Sequence, residues 1–302
     1  MLENYDINYL KQLEAESINI IRETAAEFKK PVMLYSIGKD SSVSLRLAQK
    51  AFYPGKISFP LLHIDTGYKF KEMIEFRDYY TKKIGAELIV YKNEEPRAKQ
   101  FSPEQAHTDL YIYYKKTKPL LEAIKKYNFD AAIGGARREE EKSRAKERVF
   151  SVRSDLGVWD PKNQRPELWN LHNTRLVENE TMRIFPLSNW TEPDIWAYIK
   201  EENIEVVSLY FAQKRKVIKK NGVLLRLDEF NQPKPDEEVL EMNCRYRTLG
   251  CSPSTGAIPS VAVTIDEILE EVISAQKSER ENRAIDNTSE SSMEIKKKEG
   301  YF

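Results

Sequence analysis

Apolar residues at Ile7, Leu10, Leu13, Ile18, Ile21 and Ala25 recur at helical spacing up to about residue 28, and Pro31 follows the break. After that the pattern changes period. Residues 32–35 form a short apolar run, 40–50 read as a helix, and 59–65 ("FPLLHID") read as a second buried strand. A helix over 70–84 ends at Gly85, where a left-handed cap suits glycine. "AELIVYK" (86–92) makes a third strand, 118–128 a helix, and "FDAAIGG" (129–135) a fourth strand closing on two glycines. The strands are continuous apolar runs, as expected where both faces are covered. The order β-α-β-α-β-α-β specifies a doubly wound, mainly parallel α/β sheet joined by right-handed crossovers.

On such sheets ligands bind beyond the carboxyl ends of the strands, so the loops at 36–41, 65–69 and 134–146 are the ones to inspect. Past residue 150 the pattern loosens into "SDLGVWDPKNQRPELWN", then "MRIFPLSNW" and a helix opened by Thr191 with Asp194 three residues on, a start like a capping box. Asn221-Gly222 between two apolar-leaning runs predicts a hairpin. Thr264, with Glu267 completing a second capping box, opens a last helix that reaches about residue 281. The tail at 286–302 has too little apolar content to form a core element by itself. The chain divides into a nucleotide-binding unit, 1–200, and an extension, 201–302, of hairpin, helix and tail expected to bind a partner.

Composition narrows the class. The 302 residues are 40% hydrophobic and balance 48 Lys+Arg against 48 Asp+Glu, so neither nucleic acid nor membrane is an expected partner. No apolar stretch approaches the roughly 18 residues of a membrane span, and the acidic amino terminus lacks the features of a signal peptide, so the expected location is the cytoplasm. Cys244 and Cys251 fit neither a CxxC pair nor a zinc site and read as reduced thiols. His63, His107 and His172 are scattered, which argues against a metal site, and the four tryptophans read as packing residues.

The first loop, Ser36-Ile37-Gly38-Lys39-Asp40-Ser41-Ser42, is neither a Walker A loop nor a dinucleotide fingerprint. It still has the parts of a phosphate cradle: serine hydroxyls, a glycine that lets the backbone come close, a lysine, and the amides of a starting helix. Asp40 is the odd member. A carboxylate beside a polyanion calls for a divalent cation, or is occupied as a helix cap, and both readings stay open.

Ser-x-Gly-x-Asp-Ser after the first strand resembles the PP-loop of N-type ATP pyrophosphatases. Together, "YSIGKDSSV", "HIDTG", "GGARREEEKSRAKER", "WDPKNQRPELW", "PLSNWTEPDIW" and "SMEIKKKEGYF" resemble the small catalytic subunits of heterodimeric ATP sulfurylases, from about residue 14 to the last residue. The resemblance implies the adenine nucleotide alpha hydrolase-like fold and adenylyl transfer from ATP to sulfate. It also implies Mg²⁺ and coupling to GTP hydrolysis on a separate large subunit. This chain has no GTPase motif of its own.

The site the resemblance implies places ATP on Ser36, Gly38, Ser41, Ser42, Asp65, Thr66, Gly67, Gly134 and Gly135. Lys39, Asp40, Arg137 and Arg138 are the expected catalytic group, with Asp40 also the metal ligand. Sulfate is assigned to Lys142 and Arg144, with Arg245 and Arg247 as a second group, since a guanidinium fork matches a tetrahedral oxyanion. The bland reading of 137–148 is a solvated helix with alternating charges. Three rivals compete: a PP-loop sulfonucleotide reductase, which the absence of a carboxy-terminal Glu-Cys-Gly opposes; a thiolating PP-loop enzyme, which two cysteines and zero net charge oppose; and a non-catalytic PP-loop subunit, which the intact loop opposes.

Overall fold

The computed structural model of the chain describes residues 7–140, 142–220, 222–235 and 237–275. Helix α1 (Ile7–Glu27) leads to β1 (Pro31–Leu34), α2 (Lys39–Phe52), β2 (Leu61–Ile64), α3 (Lys71–Ile84) and β3 (Leu88–Tyr91). Two short helices, α4 (Pro96–Lys99) and α5 (Asp109–Ile112), precede α6 (Lys118–Tyr127) and β4 (Ala131–Ile133). Then come α7 (Lys142–Ala145), β5 (Phe150–Arg153), β6 (Thr181–Ile184) and α8 (Glu192–Glu201). The sheet order is β3-β2-β1-β4-β6-β5, parallel except for the edge strand β5. The doubly wound, mainly parallel reading of the sequence is the observed architecture. The chain reverses its winding between β1 and β4, which opens a crevice at the carboxyl ends of those two strands.

Adjacent strand residues point to opposite faces, and both faces are covered. Val32, Leu62 and Ala132 pack under Leu120, Ala123 and Ile124 of α6, whose i, i+3, i+4 spacing puts them on one stripe. Met33, Leu61 and Ile133 face the larger cluster, which takes in α1, α2, α3 and α8. Each such leucine or isoleucine contributes about 1.5–3 kcal/mol by leaving water. Gly85 ends α3 at φ 65, as its position predicts.

The stretch read as one helix over 137–148 is instead a 3-10 turn (Arg138–Glu140) followed by the four-residue α7. The "WDPKNQRPELW" segment guards the open edge of the sheet. Glu167 accepts the amides of Val149 and Phe150 (3.0 and 2.8 Å), and Gln164 meets both the amide and the carbonyl of Val152 (3.0 and 3.2 Å). These side chains satisfy strand groups that would otherwise recruit another chain. Trp159, Trp190 and Trp196 are buried as expected, whereas Trp169 is exposed.

A second sheet, order β10-β9-β7-β8, is formed by β7 (Gln213–Lys220), β8 (Val223–Arg226), β9 (Val239–Arg245) and β10 (Ile258–Pro259). The predicted hairpin is its β7–β8 pair, with Lys220 opposite Val223; Asn221 lies outside the described residues. Val217, Cys244, Tyr246 and Leu249 join the main cluster, so this sheet shares a core with the first. Helix α9 (Ile265–Ser274) opens with the predicted Thr264–Glu267 capping box and packs on α8, whose Thr191–Asp194 box is also present. The expected tail, 286–302, and the end of the predicted last helix lie outside the described residues.

Candidate functional site

A cavity of about 290 Å³ opens at the β1/β4 switch point. Its walls come from the loops after β1, β2 and β4, from Lys116 and Leu120, from Tyr210, and from the segment around Thr248 to Thr255. Leu34, Leu62, Ile64 and Leu120 supply apolar wall, and polar and apolar residues alternate in the rest.

The loop after β1 turns sharply. Ile37 takes φ 70 with its side chain buried, a conformation that costs a β-branched residue about 1–2 kcal/mol and that the packed core holds in place. Gly38 is the N-cap of α2 and brings no side-chain cap of its own, and the first amide of the helix, that of Lys39, is taken by Tyr210. Asp40 is therefore not the cap, and that reading falls away. Ser41 and Ser42 donate their hydroxyls to the carbonyl of Gly38 (2.9 and 3.1 Å), while Ser36 donates to the Ser41 oxygen (3.3 Å). The amide of Lys39 donates to the Tyr210 hydroxyl at 2.7 Å. Gly135 leans against this turn: a Cβ there would sit 3.2 Å from the carbonyl carbon and Cβ of Asp40 and 3.3 Å from the Ser41 nitrogen.

Behind the loop lies a buried charge network. Arg137 Nε is 2.7 Å from Asp40 Oδ1, and its Nη1 is 3.0 Å from Glu139. Lys39 Nζ donates to the Arg247 carbonyl (3.2 Å) and faces Asp40 (3.6 Å) and Glu192 (3.9 Å). Glu192 in turn holds Arg247 at 2.5 Å. Lys39 and Arg137, expected at the phosphates, are therefore buried in this network and do not line the cavity.

Of the residues singled out in the sequence, Ser36, Gly38, Asp40, Ser41, Thr66, Gly134, Gly135 and Arg144 line the cavity together. Ser42 is buried one turn along the helix. Asp65 accepts the Gly67 amide (2.8 Å) in a turn beside the cavity lining. Arg138 reaches Asn189 (2.6 Å), and Arg245 is held by Glu271 of α9 (2.8 Å); neither is in the cavity wall. The Lys142 side chain lies outside the described residues. Lys69 and Glu140 lie in the loops singled out at 65–69 and 134–146 without having been named there, whereas Tyr210, Lys116 and the Thr248–Thr255 wall were not foreseen, because nothing in their local sequence separates them from ordinary loop residues.

Burial shapes the titration here. His63 donates from Nδ1 to the Tyr35 carbonyl (2.9 Å), and its pKa is lowered to about 4, first by burial and then by Lys69. Cys251 is also buried, which by itself raises a thiol, yet Lys116 and Lys69, with hydrogen bonds from Thr66 and Tyr111, bring it below its ordinary value.

Switch-point cavity, PP-loop turn and close-packed glycine define a nucleotide-binding α/β protein, and the family model for the phosphoadenosine phosphosulfate reductase domain matches residues 30–257. Proteins called sulfate adenylyltransferase subunit 2 from Saccharophagus degradans and Bacteroides fragilis are each 57% identical to it over 307 residues, covering 100% of both chains. The chain belongs to the sulfate adenylyltransferase subunit 2 family. A solved structure of FMN adenylyltransferase from Candida glabrata in complex with ATP has the same fold at 15% identity, with a TM-score of 0.50 over 76% of this chain and 69% of that one.

Proposed function

We propose that ATP lies in this cavity and that the chain transfers its adenylyl group to sulfate, giving adenosine 5′-phosphosulfate and pyrophosphate. A sulfate oxygen attacks the α-phosphorus, the bond to the α,β-bridging oxygen breaks, and the electron pair leaves on pyrophosphate. Sulfate is its own nucleophile, so positioning and charge neutralisation supply the rate. The observation that carries the reading is the glycine turn at Gly38, pressed by Gly135 and opening on the switch-point cavity. Ser36, Ser41 and the amides of Asp40 and Ser41 would hold the departing pyrophosphate, and Leu34, Leu62, Ile64 and Leu120 offer adenine an apolar wall.

Arg137 and Lys39 act in this reading as positioning residues that aim Asp40. Magnesium usually arrives with substrate phosphates and takes one or two protein carboxylates. Asp40 and Glu140 are the cavity's carboxylates and fit that mode, while no preformed cluster of three metal-binding side chains exists among the described residues. The ion would neutralise charge building on the departing pyrophosphate.

Relatives named as a subunit 2 imply a partner subunit. The phosphosulfate anhydride is a higher-energy product than the bond broken in ATP, and a single site cannot move that equilibrium. The partner in this reading is therefore a GTPase whose hydrolysis drives the reaction, and the region 201–302 contributes to docking it. Among the described residues no helix is long and apolar enough to cross a membrane, which agrees with action in the cytoplasm.

The test is sulfate-dependent exchange of labelled pyrophosphate into ATP by this chain co-expressed with its partner. Exchange that needs sulfate and an intact Asp40 supports the reading; sulfite release or thiolated nucleic acid in its place overturns it.

A further inference from the structure

The first amides of α2 are not equivalent. The amide of Ser42 already belongs to the helix, donating to the Gly38 carbonyl at 3.0 Å. Ahead of it, the amide of Lys39 is taken by the Tyr210 phenol at 2.7 Å, a buried bond between residues 171 apart in the chain. The amides of Asp40 and Ser41 meet no protein acceptor among the described residues. Gly135 stands beside this pair: a Cβ there would lie 3.2 Å from the Asp40 carbonyl carbon and 3.3 Å from the Ser41 nitrogen. Tyr210 and Gly135 thus bracket the turn.

Elements outside the turn place the phenol. Tyr210 ends the 3-10 turn Ser208–Tyr210, and its ring meets Trp196 of α8 edge to face at 5.2 Å. The neighbouring Leu209 carbonyl accepts the Tyr246 amide at 3.1 Å, which ties the same turn to the second sheet. The tyrosine is buried and forms part of the cavity wall.

We infer that Tyr210 is the positioning residue that sets where the departing pyrophosphate sits. By taking the Lys39 amide it confines the anion to the amides of Asp40 and Ser41, on the Gly135 side of the turn. This rests on the adenylyl-transfer reading above and names the residue that fixes the register of its nucleotide.

Helical geometry gives the consequence. Successive amides are turned by about 100° around the axis and displaced by about 1.5 Å along it. A helix start with every amide open offers phosphate more than one seat. An anion held by Lys39 and Asp40 would sit round the axis from one held by Asp40 and Ser41, and the α-phosphorus joined to it would move as well. The sulfate oxygen, the α-phosphorus and the bridging oxygen must lie in line, and a misplacement of about 1 Å lowers a rate by about 100-fold. The phenol therefore removes a seat that binds nucleotide without aligning it.

The experiment compares the complete two-subunit enzyme with its Tyr210→Phe variant, which keeps the ring against Trp196 and uncovers the Lys39 amide. Two quantities are read: kcat of sulfate-dependent pyrophosphate release, and Kd for an ATP analogue with a methylene group in place of the α,β-bridging oxygen. The expected result is a kcat at least about tenfold lower, with the analogue bound as tightly as by the parent or more tightly. A smaller fall in kcat overturns the inference. So does a Kd weakened along with kcat, which would mean that the hydroxyl only holds the pocket together or binds the nucleotide itself. Should the variant fail to fold, crystals of the parent with the same analogue decide: phosphate oxygens on the Asp40 and Ser41 amides with the phenol still on Lys39 support the inference, and a phosphate oxygen on the Lys39 amide overturns it. A parent enzyme with no sulfate-dependent release refutes the adenylyl-transfer reading itself, a result distinct from undiminished release by the phenylalanine variant.

Discussion

Arg137 Nε stands 2.7 Å from Asp40 Oδ1 across 97 residues of chain, joining the loop after β4 to the first turn of α2. The guanidinium is almost wholly buried and the carboxylate keeps an exposed edge on the cavity. Asp40 also sits in the first turn of a helix, at its positive end. A paired, aimed carboxylate can approach a cation-bound triphosphate without collapsing onto it.

If the pair acts as one unit, Asp40→Asn and Arg137→Met should not be additive. A double-mutant cycle by urea unfolding should give a coupling of about 1–3 kcal/mol, and each single variant should lose most sulfate-dependent exchange. Additive unfolding energies would mean that the two side chains merely lie close together.

Gly135→Ala tests the close approach. The added methyl would press on the backbone of Asp40 and Ser41 at 3.2–3.3 Å, with no flexible side-chain end to give way. The turn must shift by a few tenths of an ångström, which should raise ATP KM about tenfold while leaving sulfate KM near the parent value. Titration with each substrate in turn checks this; an unchanged ATP KM would show that the turn tolerates the displacement.

The parts of this site written in local sequence were readable, and the parts made by long-range packing were not. The turn at Ser36–Ser42 and the glycine pair at 134–135 follow apolar runs whose period fixes them at strand ends. Lys39 illustrates the limit: its type and place suggested a phosphate ligand, yet Glu192 and the Arg247 carbonyl, more than 150 residues away, draw its ammonium group out of the cavity. Strand β9 was missed although Leu240 to Arg245 alternate apolar and polar residues, and the edge strand β5 because "FSVR" is too short to show a period.

Glu192 is the counter-charge of that network, receiving Arg247 at 2.5 Å and facing Lys39 at 3.9 Å. Glu192→Gln keeps the shape and removes the charge, leaving buried cations under-compensated. The expected cost is about 3 kcal/mol of unfolding free energy. Chemical denaturation measures it, and a change below about 0.5 kcal/mol, the scatter of ordinary surface substitutions, would show that the cluster is balanced without Glu192.

His63 gives the fold a defined acid limit. Its imidazole is buried against the Tyr35 carbonyl, Nε2 has no hydrogen-bond partner, and Lys69 and Arg77 oppose protonation while Asp65 favours it only weakly. The folded-state pKa of about 4 lies below the ordinary 6.5, so between these values the unfolded chain binds more protons than the folded one. The native state therefore has its full stability above pH 6.5 and loses it as pH falls toward 4, by about 3 kcal/mol from this group. His63→Asn can keep a donor to the Tyr35 carbonyl and cannot take up the proton. Unfolding free energies of parent and variant should run parallel above pH 6.5 and converge or cross toward pH 4, with the parent falling faster. Curves that stay parallel down to pH 4 would mean that His63 is protonated in the folded protein without penalty, and that burial does not set its acidity.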